Sequence, residues 1–210
     1  MNETKSHPTA RLGTGRIEAL CDGVFAIIMT LLVFDIKLPQ VPPDELLTSI
    51  LMLWPSFIGY AISFVLLGIY WVGHRAQFQF ILYADQNLHW LNMLFFAMCG
   101  LTPFSTGLLS QYHDQWLAVA LYGLNLSLIG IALYLHWLYA TRHTSIVGDD
   151  ISPVVVRYGS QRCLLAPIGY TIAVLLGLIS PIISLVVFGV VPLVYIVPSI
   201  TRAWLKFAQR

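Results

Sequence analysis

Long apolar runs separated by short polar ones make up nearly all of this chain. Six runs can be marked, over about 17–37, 46–73, 88–109, 115–140, 162–179 and 183–204. A bilayer core about 30 Å thick is crossed by roughly 20 mostly apolar residues of helix, so each run is read as a membrane span. The last two are the shortest and carry Pro167, Pro181, Pro192 and Pro198. They are expected to be kinked, or folded as a tight hairpin about Ser180-Pro181, because a bilayer tolerates broken helices only where neighbours satisfy the backbone. Thr102-Pro103 is expected to kink span 3. The pattern predicts an all-α integral membrane protein, one six-helix unit over residues 1–210, with no separate soluble domain and no convincing internal repeat.

Span 1 is the most informative. From Arg16 to Pro39 it reads RIEALCDGVFAIIMTLLVFDIKLP, long enough to cross a bilayer yet carrying acids near its start and a threonine in its middle. Ionisable groups inside a span are costly and face protein or water rather than lipid, so this helix is expected to be more than an anchor. With about 100° per residue, Gly23, Thr30, Leu31, Phe34 and Leu38 fall on the side of Ile27. The stripe has two readings. One is packing, since Ala19, Gly23, Ala26 and Thr30 give the small-xxx-small spacing that lets helices approach closely; periodicity alone favours it. The other is a pore. Copies of this helix around an axis would stack rings of Ile27, Leu31 and Phe34 that gate by dewetting, with Thr30 supplying oxygens beside the narrowest point.

Asp22 lies on nearly the opposite side of the wheel, one turn from Glu18. Two acids at that spacing repel unless a basic group stands by. His74 and Arg75 at the end of span 2, with His89 and Asn92 at the start of span 3, fall at the same predicted depth, so an inner polar network holding span 1 against spans 2 and 3 is expected. Arg16 is too far round the helix to pair with Asp22 and is expected to bind another helix or a neighbouring subunit.

Charge sharpens the topology. With the N-terminus inside, of the 11 Lys and Arg only Lys37 falls outside; Lys5, Arg11, Arg16, Arg75, Arg142, Arg157, Arg162, Arg202, Lys206 and Arg210 all lie on the inner side. That segregation is what the positive-inside rule demands. It predicts both termini in the cytoplasm of a multi-pass cell-membrane protein, with the longest polar stretch, 141–161, also inside. Composition agrees: 58% of residues are hydrophobic and 10% charged, against about 25% charged in a soluble domain, and mean hydropathy is +0.77. A net charge of +1 gives no nucleic-acid footprint.

Catalytic chemistry finds little support. No nucleophile stands at motif spacing from a base, no glycine loop could cradle phosphate, and no zinc spacing occurs, so no enzyme, cofactor or metal centre is expected. Cys21, Cys99 and Cys163 are widely spaced and read as small buried residues. Asn125 and His136 in span 4 are read as interhelical hydrogen-bonding groups ahead of a proton relay. Trp54, Trp90, Trp116, Trp137 and Trp204 fall near span ends, as interfacial anchors do, and Asp149-Asp150 reads as a solvated loop.

The run Arg16-x-x-x-Leu20-Cys21-Asp22-Gly23-Val24-Phe25-Ala26, continuing through Thr30-Leu31-Leu32-Val33 to Asp35-Ile36-Lys37 and Pro39, resembles the first helix of bacterial lysosomal-type potassium channels, the transmembrane protein 175 family. Their signature is Arg-x-x-x-Phe-Ser-Asp; Arg16 and Asp22 match it, and Leu20 and Cys21 stand where Phe and Ser are usual. Trp71-x-x-His74 and Trp90-x-Asn92 add support. The resemblance implies six-helix subunits assembled as tetramers, with helix 1 of each lining a central pore. It implies modest preference for potassium over sodium without a Thr-Val-Gly-Tyr-Gly filter, a run absent here too. It places Ile27 on the narrowest hydrophobic ring, Leu31 and Phe34 on the rings above, and Thr30 on the layer linked to selectivity. The expected partners are other copies of the chain, the lipid bilayer and permeant potassium ions. Two other functions stay open: a proton-coupled secondary transporter using Asp22, Glu18 and the histidines, and a non-conducting membrane scaffold.

Overall fold

Four stretches among the described residues are helical, long and apolar enough to cross a membrane: Gly15–Asp35, Trp54–Phe78, Gln86–Gln111 and Trp116–Arg142. The structure, a computed structural model, describes residues 13–148 and 151–196. Lys5, Arg11, Asp149-Asp150, Pro198, Arg202, Trp204, Lys206, Arg210 and the predicted end of span 6 lie outside them.

The first span is α1 (Gly15–Leu31), which tightens into a 3₁₀ turn over Leu32–Asp35. Span 2 is divided. A short α2 (Leu46–Leu51) ends before α3 (Trp54–Phe78), which starts with Pro55 in its first turn and runs five residues past the predicted end at 73. Proline fits a first helical turn because it has no N–H to contribute, and it cannot continue a preceding helix.

Span 3 breaks the same way, at the predicted place. α4 (Gln86–Gly100) stops at Leu101 and α5 (Thr102–Gln111) resumes with Pro103 in its first turn. The carbonyls around the break find partners. Asn125 Nδ2 donates to Met98 O at 2.9 Å, and Ser105 and Thr106 hydroxyls donate to Thr102 O at 3.1 and 2.8 Å. Without such donors a helix break in hydrocarbon would leave polar backbone uncompensated.

α6 (Trp116–Arg142) is the centre of the bundle: 61% of its most apolar window is buried, against 28% for the first span and for α3. It packs chiefly on α8 (Pro153–Gly177), after the short α7 (Thr144–Val147). Two glycines permit the close approach. A Cβ on Gly130 would stand 2.6 Å from Pro167 Cδ, and one on Gly159 would stand 2.7 Å from the Trp137 ring. Pro167, inside α8, thus rests in a hollow that only glycine leaves open.

α8 starts earlier than the predicted 162. Ser152 caps it, its hydroxyl accepting from Val154 N at 3.3 Å, and Pro153 fills the first position, both strong start signals. Arg157 is therefore a helical residue rather than a loop residue, and Arg162, expected at the helix start, lies well inside it. Trp137 also departs from expectation: it is 2% exposed, its ring covers Gly159, and Nε1 donates to Val156 O at 3.2 Å. Trp54, Trp90 and Trp116 are exposed. α9 (Pro181–Ile196) turns back on α8, and Ser184 Oγ donates to Ala173 O at 2.6 Å across the hairpin. Cys21 and Cys99 are buried free thiols, and Cys163 is half-buried.

Candidate functional site: the first helix and the polar chain behind it

Ile17, Cys21, Phe25, Ile28 and Leu32 recur at three- and four-residue steps and are all buried. This is the packed face of α1, set against α3 and α4, with Phe25 and Phe95 ring centroids 5.9 Å apart. The other face is bare. Ile27 is 61% exposed, Leu31 44% and Phe34 75%, and Leu20, Gly23, Ala26 and Thr30 are exposed with them. A helix whose remaining surface were destined for its own bundle would bury more than one stripe. The stripe around Ile27 therefore faces whatever lies outside one subunit. Thr30 Oγ1 lies 2.9 Å from Ala26 O and 2.8 Å from Ile27 O. Its one hydrogen goes back to the helix, and its lone pairs point outward as acceptors.

The acids of α1 have separate partners. Trp71 Nε1 donates to Asp22 Oδ1 at 2.7 Å, joining α1 to α3, and Thr14 Oγ1 donates to Glu18 Oε1 at 2.9 Å. Arg75 lies over the Trp71 ring, 5.7 Å from its centroid. An aromatic face attracts a guanidinium. His89 turns to its own helix start, Nδ1 standing 2.7 Å from Asp85 O. Arg16 is exposed.

His74 and Asn92 do meet, in a buried chain that also takes in His136 and Gln77. His74 Nε2 and Asn92 Oδ1 are 2.7 Å apart, Asn92 Nδ2 and His136 Nε2 3.0 Å, and His136 Nδ1 and Gln77 Oε1 2.6 Å. Gln77 Nε2 closes the chain on Leu133 O at 3.1 Å and Cys163 Sγ at 3.3 Å. One assignment satisfies every link: His74 carries its proton on Nε2 and His136 on Nδ1, so each donor meets an acceptor. The His74 ring also stacks on Phe95, with centroids 5.2 Å apart and planes 3° from parallel. The chain ties α3, α4 and α6 together directly behind α1.

The sequence-level network thus divides. His74 and Asn92 belong to the buried chain, while Glu18, Arg75 and His89 bond elsewhere. Trp71, Gln77 and His136 complete what sequence reasoning left incomplete. His74 and Gln77 stand three apart, so a polar face on the end of α3 was readable; its pairing with His136 was not. Among the described residues no group of His, Cys, Asp and Glu could hold a metal ion.

These features define a helical membrane protein whose first span is held by polar contacts on one side and left bare on the other. A model of the family described as endosomal/lysosomal potassium channel TMEM175 matches residues 16–103, the stretch holding that span and most of its partners. The chain is 32% identical over 187 residues to a potassium channel of Streptomyces collinus, covering 87% of this chain and 91% of that one. It is 34% identical over 173 residues to a potassium channel of Chamaesiphon minutus, covering 80% and 85%. The crystal structure of a lysosomal potassium-selective channel TMEM175 homolog from Chamaesiphon minutus superposes with a TM-score of 0.78 at 32% identity, over 89% of this chain and 97% of that one. The chain belongs to the TMEM175 family, a family of ion channels and not of enzymes.

Proposed function

We propose that this protein is a potassium-permeable cation channel of the cell membrane. Its subunit is a single six-span unit over residues 1–210 with both termini in the cytoplasm, and four subunits surround a pore lined by α1. The observation that carries this reading is the bare stripe of Ile27, Thr30, Leu31 and Phe34, opposite the packed face of the same helix. The family relationship supports it. In a ring of four, Ile27 forms the narrowest point, with Leu31 and Phe34 above it. An ion passing such a ring sheds water against hydrocarbon, and that cost is the gate. Thr30 offers uncharged oxygens one turn away, which can replace part of a hydration shell. No TVGYG run is present, and the family resemblance implies a modest preference for potassium over sodium.

Purified protein in liposomes should pass potassium down its gradient with no coupling ion. Ile27→Asn wets the narrow ring and should raise potassium flux severalfold; a variant conducting like the parent removes Ile27 from the constriction. Flux that saturates and follows a proton gradient would instead favour a proton-coupled transporter. That alternative is weakened by the separation of Asp22 and Glu18 from the histidine chain, since a relay needs them linked. A non-conducting scaffold predicts no flux at all.

A further inference from the structure

Arg162 lies well inside α8, where two cavities meet. The wider, about 660 Å³, runs between α1, α3 and the end of α9 and has Asp22, Met29 and Trp71 in its wall. The narrower, about 420 Å³, lies between α3, α6 and α8. Its wall is mostly apolar, as at Leu66, Ala76, Phe80, Leu133 and Val154, and among the described residues no carboxylate lines it. Arg162 and Tyr195 border both.

The guanidinium is poorly compensated. One Nη donates to Tyr158 Oη at 3.0 Å, and the group lies 5.3 Å from the Tyr195 ring centroid. Neither partner carries a negative charge, and among the described residues most of the fork of N–H donors has no hydrogen-bond partner. Its depth is set by neighbours. Gln77 of α3 bonds Cys163, and Trp137 of α6 bonds Val156, so Arg162 sits near the ends of α3 and α6 that also carry Arg75 and Arg142. A charged side chain bordering hydrocarbon is expensive unless a counter-charge or water meets it. A phosphate suits a guanidinium fork geometrically as well as electrostatically. An apolar cavity of this size is within the range of ligand sites, and in a bilayer the abundant apolar ligand is an acyl chain.

We propose that the crevice between α3 and α8 binds an anionic phospholipid from the leaflet at the basic end of the bundle, with its phosphate on the Arg162 guanidinium and one acyl chain in the narrower cavity. Asp22, already held by Trp71, borders only the wider cavity and repels the phosphate toward the narrower one. The proposal rests on the bundle lying in a bilayer and not on the passage of ions.

Native mass spectrometry of the full-length protein, titrated with phosphatidylglycerol or phosphatidylcholine, tests it. The parent should retain phosphatidylglycerol about tenfold better than phosphatidylcholine, as loss of a charge-assisted bond implies. Arg162→Gln should bring the two lipids level, and Arg162→Lys should keep most of the preference. Ala76→Trp, at an exposed position of α3 bordering the narrower cavity, should lower retention of both lipids. An undiminished preference in Arg162→Gln overturns the phosphate contact, and unchanged retention in Ala76→Trp overturns the acyl site. Displacement of the lipid by soluble glycerol phosphate would make this an anion site without a lipid. If Arg162→Gln fails to elute like the parent, Ala76→Trp decides, because it leaves the guanidinium in place.

Discussion

Thr30 and Asn92 show how differently two polar residues can serve a membrane helix. The Thr30 hydroxyl bonds only to carbonyls of its own helix and stays exposed. Its removal should therefore cost little stability and act on permeation. Thr30→Ala is expected to shift reversal potentials toward equal permeability for potassium and sodium, while the variant unfolds within about 1 kcal/mol of the parent; unmoved reversal potentials would dissociate Thr30 from selectivity. Asn92 is the reverse case. It links two histidines in a buried chain, and Asn92→Leu strands a donor on His74 and an acceptor on His136. The expected loss is about 2–3 kcal/mol, read as an earlier thermal unfolding transition in detergent. The polar character and depth of both residues were legible from sequence, as was the side of α1 on which Thr30 falls. The partner of Asn92 on α6 was not, because its bond to His136 depends on how two distant helices are rotated about their axes.

Elements in this fold are positioned by breaks and close approaches as much as by apolar stripes. Pro55 and Pro103 end one helical segment and open the next, and Asn125, Ser105 and Thr106 pair the carbonyls around the second break. The second break was legible because proline acts locally. The early start of α8 differs from the sequence reading, in which the polar stretch 141–161 with Arg157 is a loop; burial against α6 through Gly159 and Trp137 overrides that polarity. Gly130→Leu drives a side chain into Pro167 and should cost about 1–3 kcal/mol or more, seen as loss of the assembled peak in size-exclusion chromatography. Trp71→Phe removes the donor to Asp22 but keeps an aromatic ring against Arg75. It should loosen α1 from α3 and change potassium flux while thermal unfolding shifts by no more than about 3 kcal/mol; flux identical to the parent would show that this contact does not set the position of α1.

At the scale of the molecule, α6 is the most buried of the long apolar spans, yet it and its neighbours α1, α3, α4, α8 and α9 each leave an apolar face bare. Exposure alone does not distinguish lipid from a water-filled conduit; accessibility to a polar reagent does. Cysteine placed at Ile27 or Phe34 should react with a membrane-impermeant thiol reagent at least tenfold faster than cysteine at Leu175 or Val186, which are equally bare on the last two helices. The factor reflects the cost of bringing a charged reagent into hydrocarbon, at least about 1.4 kcal/mol. Comparable rates at the two sets of positions would put α1 against lipid. The native thiols at Cys21 and Cys99 are buried and supply little background.

Sequence alone determined that the chain is helical and membrane-borne, that the first span has a distinctive stripe, and which family it resembles. Those properties are local: hydropathy, period and charge are summed along one segment at a time. Tertiary structure decided that Asp22 belongs to Trp71, that His74 reaches Gln77 through Asn92 and His136, that Trp137 is buried, and that Arg162 stands between two cavities. Such pairings join residues tens of positions apart. They depend on the rotation, depth and closeness of whole helices, as at the glycine contacts between α6 and α8, and no single segment encodes them.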